Sequence, residues 1–398
     1  MDLMFFNCKN LNSLDLAKIN TQNVSRMESL FEGCSSLVSL NIDSWNTGNV
    51  TTLKGTFKGC SSLISLDLNH FDTSKVKYMD SMFDTCSSLE ILKIDNFNTI
   101  SVSTMASMFV RCSNLKSLNV SNFNTKSVTN MKSMFFNCKS LTSLDVSNFD
   151  TSNVKTMEKM FDSCSSLSSL DISNFNTKKT TVLKAMFRGC SSLTYLNFSN
   201  FDTSAVSDLQ LMLSDCYSLI SLDLSNFNTS SVTNLEKMIY NCHSLISLNI
   251  SNFNTSKVSK MAQMFSNCSS LETLDISNYD TSSVLNMLQM FYYCTSLTSL
   301  NLSNFDTSKV INMESMFEGC INLEYLNFKN FENNSNLNDN NMFLYTPEDL
   351  VYCIRNEPNI PLELISKECT LNDCKENWLE NKENLFENKK NNISSINV

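Results

Sequence analysis

Cysteine is the residue type in this chain whose spacing most suggests chemistry. Thirteen of the 16 cysteines recur at intervals of 26 residues, from Cys8 to Cys320, without insertion or deletion. Side chains at one position of a stacked repeat point in the same direction and not at each other, so a ladder of disulfides is not expected. The spacing therefore predicts buried, unbridged thiols that pack as small apolar groups.

Few other residues could do catalytic or metal chemistry. His243 directly follows Cys242, which resembles a cysteine–histidine pair, but neighbouring side chains rarely face each other. His70 is the second of only two histidines, and a lone histidine makes no zinc site. Because no acid, base, nucleophile or metal ligands converge, we expect no catalytic residues, no cofactor and no metal, and we predict that the protein is not an enzyme.

Three cysteines lie outside the periodic series, Cys353, Cys369 and Cys374. Cys369 and Cys374 could form a disulfide if the protein is exported, or half of a zinc site if a second pair existed. The sequence offers no second pair and no nearby histidine. A bridge between Cys369 and Cys374 is thus expected only in an oxidising compartment.

A row of carboxylates also repeats in the sequence. One repeat position holds Asp67, Asp145, Asp171, Asp223 and Asp275, with Asn in most other copies. Such a row could bind Ca²⁺, but most adjacent copies are neutral and no glycine-rich calcium loop accompanies them. We predict an outward ladder of hydrogen-bonding side chains.

The elements that position these residues follow from the apolar pattern. After each cysteine the chain reads C-x-x-L-x-x-L-x-[LIVF], as in Cys34, Leu37, Leu40 and Ile42. Apolar residues separated by one polar residue indicate a short strand with one face in the core. Repetition every 26 residues places these strands side by side in a parallel sheet.

The segment that returns to the next strand has a different period. An aromatic residue and an Asx-Thr turn follow the strand, and the chain then reads V-x-x-[ML]-x-x-M-F, as in Val128, Met131, Met134 and Phe135. Apolar residues at i, i+3, i+6 and i+7 predict a short helical or 3₁₀ segment. The fold class is therefore an α/β repeat solenoid of about 13 repeats of 26 residues, with a parallel sheet on one face and short helical or 3₁₀ segments on the other.

Three regions are expected along the chain. Residues 1–331 form the solenoid, whose first repeat is truncated because Met1–Cys8 aligns with Met131–Cys138, so we expect natural sequence upstream. Residues 332–367 are a linker and a C-terminal helical cap that starts at Thr346 and Pro347. Residues 368–398 are a polar, partly disordered tail with a short helix near Trp378–Phe386.

Charge and hydropathy exclude some partners. The chain has 40 acidic and 30 basic residues and a net charge of −10, and its lysines are scattered, which disfavours nucleic acid and anionic membranes. No apolar run reaches the roughly 18 residues of a membrane span, and the N-terminus lacks the pattern of a signal peptide.

The repeat N-F-[ND]-T-S-x-V-x-x-M-x-x-M-F-x-x-C-x-S-L-x-S-L-[DN]-[LI]-S resembles that of BspA-like leucine-rich-repeat surface proteins. That family includes mycoplasma-type lipoproteins catalogued as a domain of unknown function. The resemblance covers residues 1–331 and implies a leucine-rich-repeat-like solenoid, display at the cell surface, adhesion to host proteins or other cells, and no catalytic residues. From these residues we expect neither a signal peptide nor an anchor, so the surface location follows from the resemblance, and a cytoplasmic location stays open.

Partner contacts are expected where the outward strand positions change. Most of them hold Ser, Asn or Asp, and the breaks are Ile91, Lys93, Tyr195 and Tyr325, whereas Trp45 is expected in the core. The sequence thus predicts a non-catalytic binding or adhesion protein that contacts proteins or cell-surface ligands. An intracellular interaction scaffold and a glycan- or ice-binding face are the alternatives, and the oligomeric state is left open.

Overall fold

The computed structural model of the protein describes residues 1–332, 336–348, 350–353 and 368–369. Its strands are very short, since each stacked turn contributes only two or three residues to a sheet. They are β1 Ser13–Asp15, β2 Ser39–Asn41, β3 Ser65–Asp67, β4 Ile91–Lys93, β5 Ser221–Asp223, β6 Ser247–Asn249, β7 Ser299–Asn301, β8 Tyr325–Asn327, β9 Val351–Cys353 and β10 Glu368–Cys369.

The strands pair in parallel, as predicted. β1 pairs with β2, β3 with β4, and β5 with β6, while β10, β9, β8 and β7 form a four-stranded sheet in that order. Between β1 and β9, paired residues lie 26 positions apart, for example Leu66 and Leu92. In β3, Leu66 points into the core while Ser65 and Asp67 are exposed. The solenoid with a parallel sheet on one side is therefore confirmed.

The return side of the solenoid carries a longer ladder than the strand side. Single-residue parallel bridges connect successive turns, from Thr52 paired with Tyr78 to Asn312 paired with Asn338. Alternate N–H groups of one return segment donate to carbonyls of the next turn. The return segments therefore hold the turns in register where the strand ladder is interrupted.

The prediction of helical or 3₁₀ return segments is wrong, because the described residues form strands, bridges and turns but no helix. The N–H groups of Phe57 and Gly59 donate across to Met82 and Asp84 of the next turn, at 2.9 and 2.7 Å, instead of along their own segment. Two residues per return segment adopt left-handed φ values, such as 59° at Ser107. This backbone places apolar side chains inward at spacings that resemble those of a helix.

The core is a set of stacked side-chain rows. Phe57 stacks on Phe83 at 5.7 Å between ring centroids, and Phe201 stacks on Phe227 at 6.3 Å in a second aromatic row. Leucine, methionine and cysteine rows fill the space between them. Each side chain thus packs mainly on its equivalents one turn away.

The solenoid path continues beyond the expected boundary at residue 331. The N–H of Phe317 donates to the carbonyl of Met342 at 2.9 Å, and β9 pairs with β8 through Tyr325 and Val351. Residues 336–348 and 350–353 therefore follow the strand and return geometry, where a linker and a helix were expected. Apart from Glu368–Cys369 in β10, the remainder of the expected cap and tail, including Trp378–Phe386 and Cys374, lies outside the described residues.

Candidate interaction surface

The cysteine row belongs to the core, as predicted. Cys34 and the later periodic cysteines are buried and free, while Cys8 is exposed. The thiol of Cys138 donates to the carbonyl of Phe109 at 3.0 Å, and burial raises its pKa to about 12. A thiol held protonated against a carbonyl is unsuited to nucleophilic chemistry.

The two histidines occupy structural positions. His70 Nε2 lies 3.0 Å from the carbonyl oxygen of Ile42 in the preceding turn. Asparagine at the same repeat position makes a similar link between turns, as Asn148 does to the carbonyl of Ser121. His243 stacks on Tyr217 at 5.4 Å between ring centroids. The thiol of Cys242 instead donates to the carbonyl of Leu213 at 3.2 Å, so the structure does not bring Cys242 and His243 together.

The aspartate row makes local hydrogen bonds. Asp67 and Asp145 each accept the N–H of the residue two positions later, at 3.1 and 3.0 Å. Bonds from the Ser147 hydroxyl and N–H lower the pKa of Asp145. In the part of the chain that the structure describes, no three His, Cys, Asp or Glu side chains are grouped to hold a metal ion.

The predicted partner contacts fall into two classes. Ile91 and Tyr195 are 56% and 61% exposed, and Lys93 is exposed with its Nζ 3.0 Å from Asp67 Oδ2. Tyr325 is only 3% exposed, so its assignment as an exposed anchor is wrong. All three residues of its strand, β8, are buried.

A further row of exposed residues was missed. We define the corner row as the residues directly before the outward strand positions of nine successive turns: Val38, Ile64, Glu90, Lys116, Thr142, Ser168, Thr194, Ile220 and Ile246. The alternation of a strand would point these side chains into the core. The chain turns at this point instead, and the exposed fractions of the four aliphatic side chains are 49–53%, for Val38, Ile64, Ile220 and Ile246. The signal in the sequence is an apolar residue after the buried leucine, as in Leu219-Ile220, where other repeats have a polar one.

Tyr195 lies beside a groove of about 460 Å³ on the strand face. Ser221, Asp223, Ser247 and Asn249 of the next two turns contribute to its lining. The N–H of Ile220 donates to the carbonyl of Thr194 at 3.2 Å, and the N–H of Ile246 donates to that of Ile220 at 2.9 Å. Three successive turns thus present Tyr195, Ile220 and Ile246 at one edge of a polar groove.

A family model described as "Mycoplasma protein of unknown function, DUF285" matches residues 1–91, 85–194, 169–273 and 233–349. The chain belongs to this family. The overlapping matches run through the solenoid, so the groove beside Tyr195 lies on DUF285 repeats. They confirm the resemblance carried by the N-F-[ND]-T repeat. No curated protein matches the chain.

This DUF285 protein is similar to several solved structures. A leucine-rich repeat protein from Bacteroides ovatus is 20% identical, with 89% of this chain and 86% of that chain covered and a TM-score of 0.45. A leucine rich cell surface protein from Faecalibacterium prausnitzii is 14% identical, with 89% and 76% covered and a TM-score of 0.33. These similarities concern the fold alone. Among the described residues there is no helix of the length and apolarity that a bilayer crossing needs.

Proposed function

We propose that this protein is a non-catalytic scaffold that binds other proteins through the strand face and the corner row of its solenoid. The observation that carries the proposal is the combination of exposed Tyr195 with the adjoining groove of about 460 Å³. A tyrosine contributes a large contact area at a low entropy cost, and a neighbouring concavity lets a partner side chain exclude water.

The surroundings of Tyr195 favour a protein partner. Ile220 and Ile246 add exposed apolar surface on the next two turns, whereas most of the strand face presents serine, asparagine and aspartate. Apolar anchors within a polar surround are typical of protein–protein interfaces. Within the described residues, the buried thiols and the two structural histidines support a binding role over catalysis.

Display at the cell surface and adhesion are the finer part of the proposal. They are supported by the resemblance to leucine-rich-repeat surface proteins, and an intracellular scaffold is the alternative. Treatment of intact cells with a protease separates the two, since a displayed protein is cut and an intracellular protein is not. Detection with an antibody against the solenoid provides the readout.

The binding experiment compares Tyr195→Ala with the parent protein. Labelled protein is titrated onto cells, and the half-saturation concentration is measured. We expect a loss of affinity of about tenfold for Tyr195→Ala, because an anchor residue contributes well over 1 kcal/mol. Tyr78→Ala is the matched control, since Tyr78 is exposed on the return side. Equal binding by Tyr195→Ala and the parent would contradict this placement.

A glycan is the second candidate ligand, favoured by the composition of the groove. Hydroxyl, carboxylate and amide groups of Ser221, Asp223 and Asn249 lie beside the Tyr195 ring. Such groups can hydrogen-bond several hydroxyls of one ligand. A glycan array probed with the parent and with Asp223→Ala tests this candidate, and uniform absence of signal would remove it.

A further inference from the structure

The exposed aliphatic residues of the corner row are symmetric about Thr142. Ile64 and Ile220 each lie three turns from Thr142, and Val38 and Ile246 each lie four turns from it. The five residues between Ile64 and Ile220 are all exposed and have polar side chains. Over these nine turns, the sequence of apolar and polar residues in the corner row is therefore the same from either end.

A second row has the same centre. The first outward strand position is serine in the turns around Ser143, and the exceptions Ile91 and Tyr195 each lie two turns from Ser143. Both side chains are more than half exposed. Two neighbouring rows thus place their large exposed residues symmetrically about the same turn.

We infer that the occupant of this surface is a second copy of the chain, docked antiparallel about a two-fold axis at Thr142 and Ser143. The inference rests on the proposed function, because it names the partner of that protein-binding surface. In a two-fold interface, residue i of one copy meets residue j of the other, and j meets i. Here Ile64 meets Ile220, Val38 meets Ile246, and Ile91 meets Tyr195 of the second copy.

The spacing and the charges of the corner row suit this arrangement. Eight turns separate Val38 from Ile246, which gives a contact strip of about 38 Å at about 4.8 Å per turn. In the corner row, Glu90 faces Thr194 and Lys116 faces Ser168, so no like charges meet there.

In the next outward row, Asp67 faces Asp223 of the second copy, and Asp145, which lies at the two-fold axis, faces its own equivalent. Lys93, whose Nζ lies 3.0 Å from Asp67 Oδ2, offsets the repulsion between Asp67 and Asp223. The repulsion between the two exposed Asp145 carboxylates weakens the dimer. The apolar contacts lie at both ends of the strip and its centre is polar, which fits a reversible association.

A charge-pair experiment tests the predicted contacts. Sedimentation velocity is measured in reducing buffer, so that exposed Cys8 forms no cross-links. At about 100 µM, above the Kd of a weak interface, we expect the parent to be dimeric. Ile64→Lys alone and Ile220→Glu alone are expected to be monomeric, because each dimer would bury two unpaired charges.

The mixture of these two variants is the decisive sample. One contact then pairs the new lysine with the new glutamate, and the other keeps the native isoleucines, so the dimer is expected to return. Ile64→Lys mixed with Ile91→Glu is the matched control and is expected to stay monomeric, since Ile91 meets Tyr195 and not Ile64. Thermal unfolding of each variant confirms that these exposed substitutions leave the fold intact.

Three outcomes would overturn the inference. They are a parent that stays monomeric at this concentration, a charge-pair mixture that stays monomeric, and a control mixture that dimerises as well as the charge pair. None of them touches the proposed function, which is measured separately by the effect of Tyr195→Ala on cell binding. A monomer whose cell binding depends on Tyr195 would leave the scaffold proposal standing with a different partner.

Discussion

The side chain of Thr73 joins its turn to the next one through two hydrogen bonds with Asn98. Its hydroxyl donates to the Asn98 carbonyl at 3.0 Å and accepts the Asn98 N–H at 2.7 Å. The same donated bond, at 2.7–3.1 Å, recurs in twelve turns, from Thr21, Thr47, Thr73, Thr99, Thr125, Thr151, Thr177, Thr203, Thr229, Thr255, Thr281 and Thr307. These buried threonines satisfy backbone groups where the chain turns from the strand to the return segment.

Replacement of Thr73 by Val is expected to destabilise the protein by about 2 kcal/mol. Valine has the same shape but removes both part-buried hydrogen bonds to Asn98, and a typical hydrogen bond contributes about 1 kcal/mol. Urea unfolding measures the change. Thr73→Ser keeps the hydroxyl and is expected to cost less, so an equal loss for the two variants would contradict the hydrogen-bond explanation.

Replacement of Tyr279 by Phe is expected to stabilise the protein by about 1 kcal/mol. Tyr279 is buried in a row where the adjacent turns hold Phe253 and Phe305, and its hydroxyl has no hydrogen-bond partner among the described residues. Removal of the hydroxyl relieves the desolvation of an unpaired polar group. The urea midpoint should rise for Tyr279→Phe and stay unchanged for Tyr78→Phe, whose ring is exposed. A drop for Tyr279→Phe would show that the hydroxyl is satisfied.

Replacement of Gly59 by Ala is expected to cost about 1 kcal/mol, because a left-handed conformation is unfavourable for a residue with a Cβ. Gly59 has a φ of +74°, and an added Cβ would approach the Gly33 backbone no closer than 3.4 Å, so conformation and not collision decides the effect. Gly48 does not have a left-handed φ. Gly48→Ala is therefore the control. An added Cβ there would lie 3.2 Å from Asp72 Oδ2, the end of a side chain that can shift, so the urea midpoint is expected to stay unchanged or rise. Equal losses in the two variants would refute the argument.

Stability is expected to fall in acid as aspartates in the turns after the strands become protonated. Hydrogen bonds from the Ser152 hydroxyl and N–H lower the pKa of Asp150, and equivalent bonds lower the pKa values of Asp72, Asp202, Asp280 and Asp306. A folded-state pKa below the unfolded value of about 3.9 stabilises the protein above that pH, and the contribution is lost as the pH falls through the folded-state value.

The measurement is the urea midpoint between about pH 6 and about pH 3. Asparagine occupies the same position in other turns, such as Asn98 and Asn124, so a variant with all five aspartates changed to Asn is expected to fold. This variant should lose less stability in acid than the parent. Identical pH profiles would show that these carboxylates do not contribute.

The periodic cysteines are expected to resist alkylation in the folded protein. Burial raises the pKa of Cys138 from 9.0 to about 12, so its thiolate fraction near pH 8 is lower by about a thousandfold. Mass spectrometry after iodoacetamide treatment should find exposed Cys8 modified and Cys138 unmodified, with both modified in urea. Rapid modification of Cys138 without denaturant would mean that the turns open locally.

The sequence by itself determined the period of the array and which side chains face the core. The 26-residue recurrence of Cys, Leu and Phe requires stacked equivalent turns, and the leucines flanked by polar residues, such as Leu66, require strands with one buried face. The parallel pairing, the buried thiols and the exposure of Ile91 and Tyr195 were predictable on this basis.

Only the tertiary structure decided the backbone path between the strands. The Met-Phe spacing fits one face of a helix, but the N–H of Phe57 bonds to the next turn, a choice that depends on a neighbour 25 residues away. The sequence pattern also did not predict the burial of Tyr325 in β8 or the exposure of Ile220 at the corner. A repeat pattern specifies burial within one turn, whereas hydrogen bonding and exposure between turns depend on the stacked neighbours.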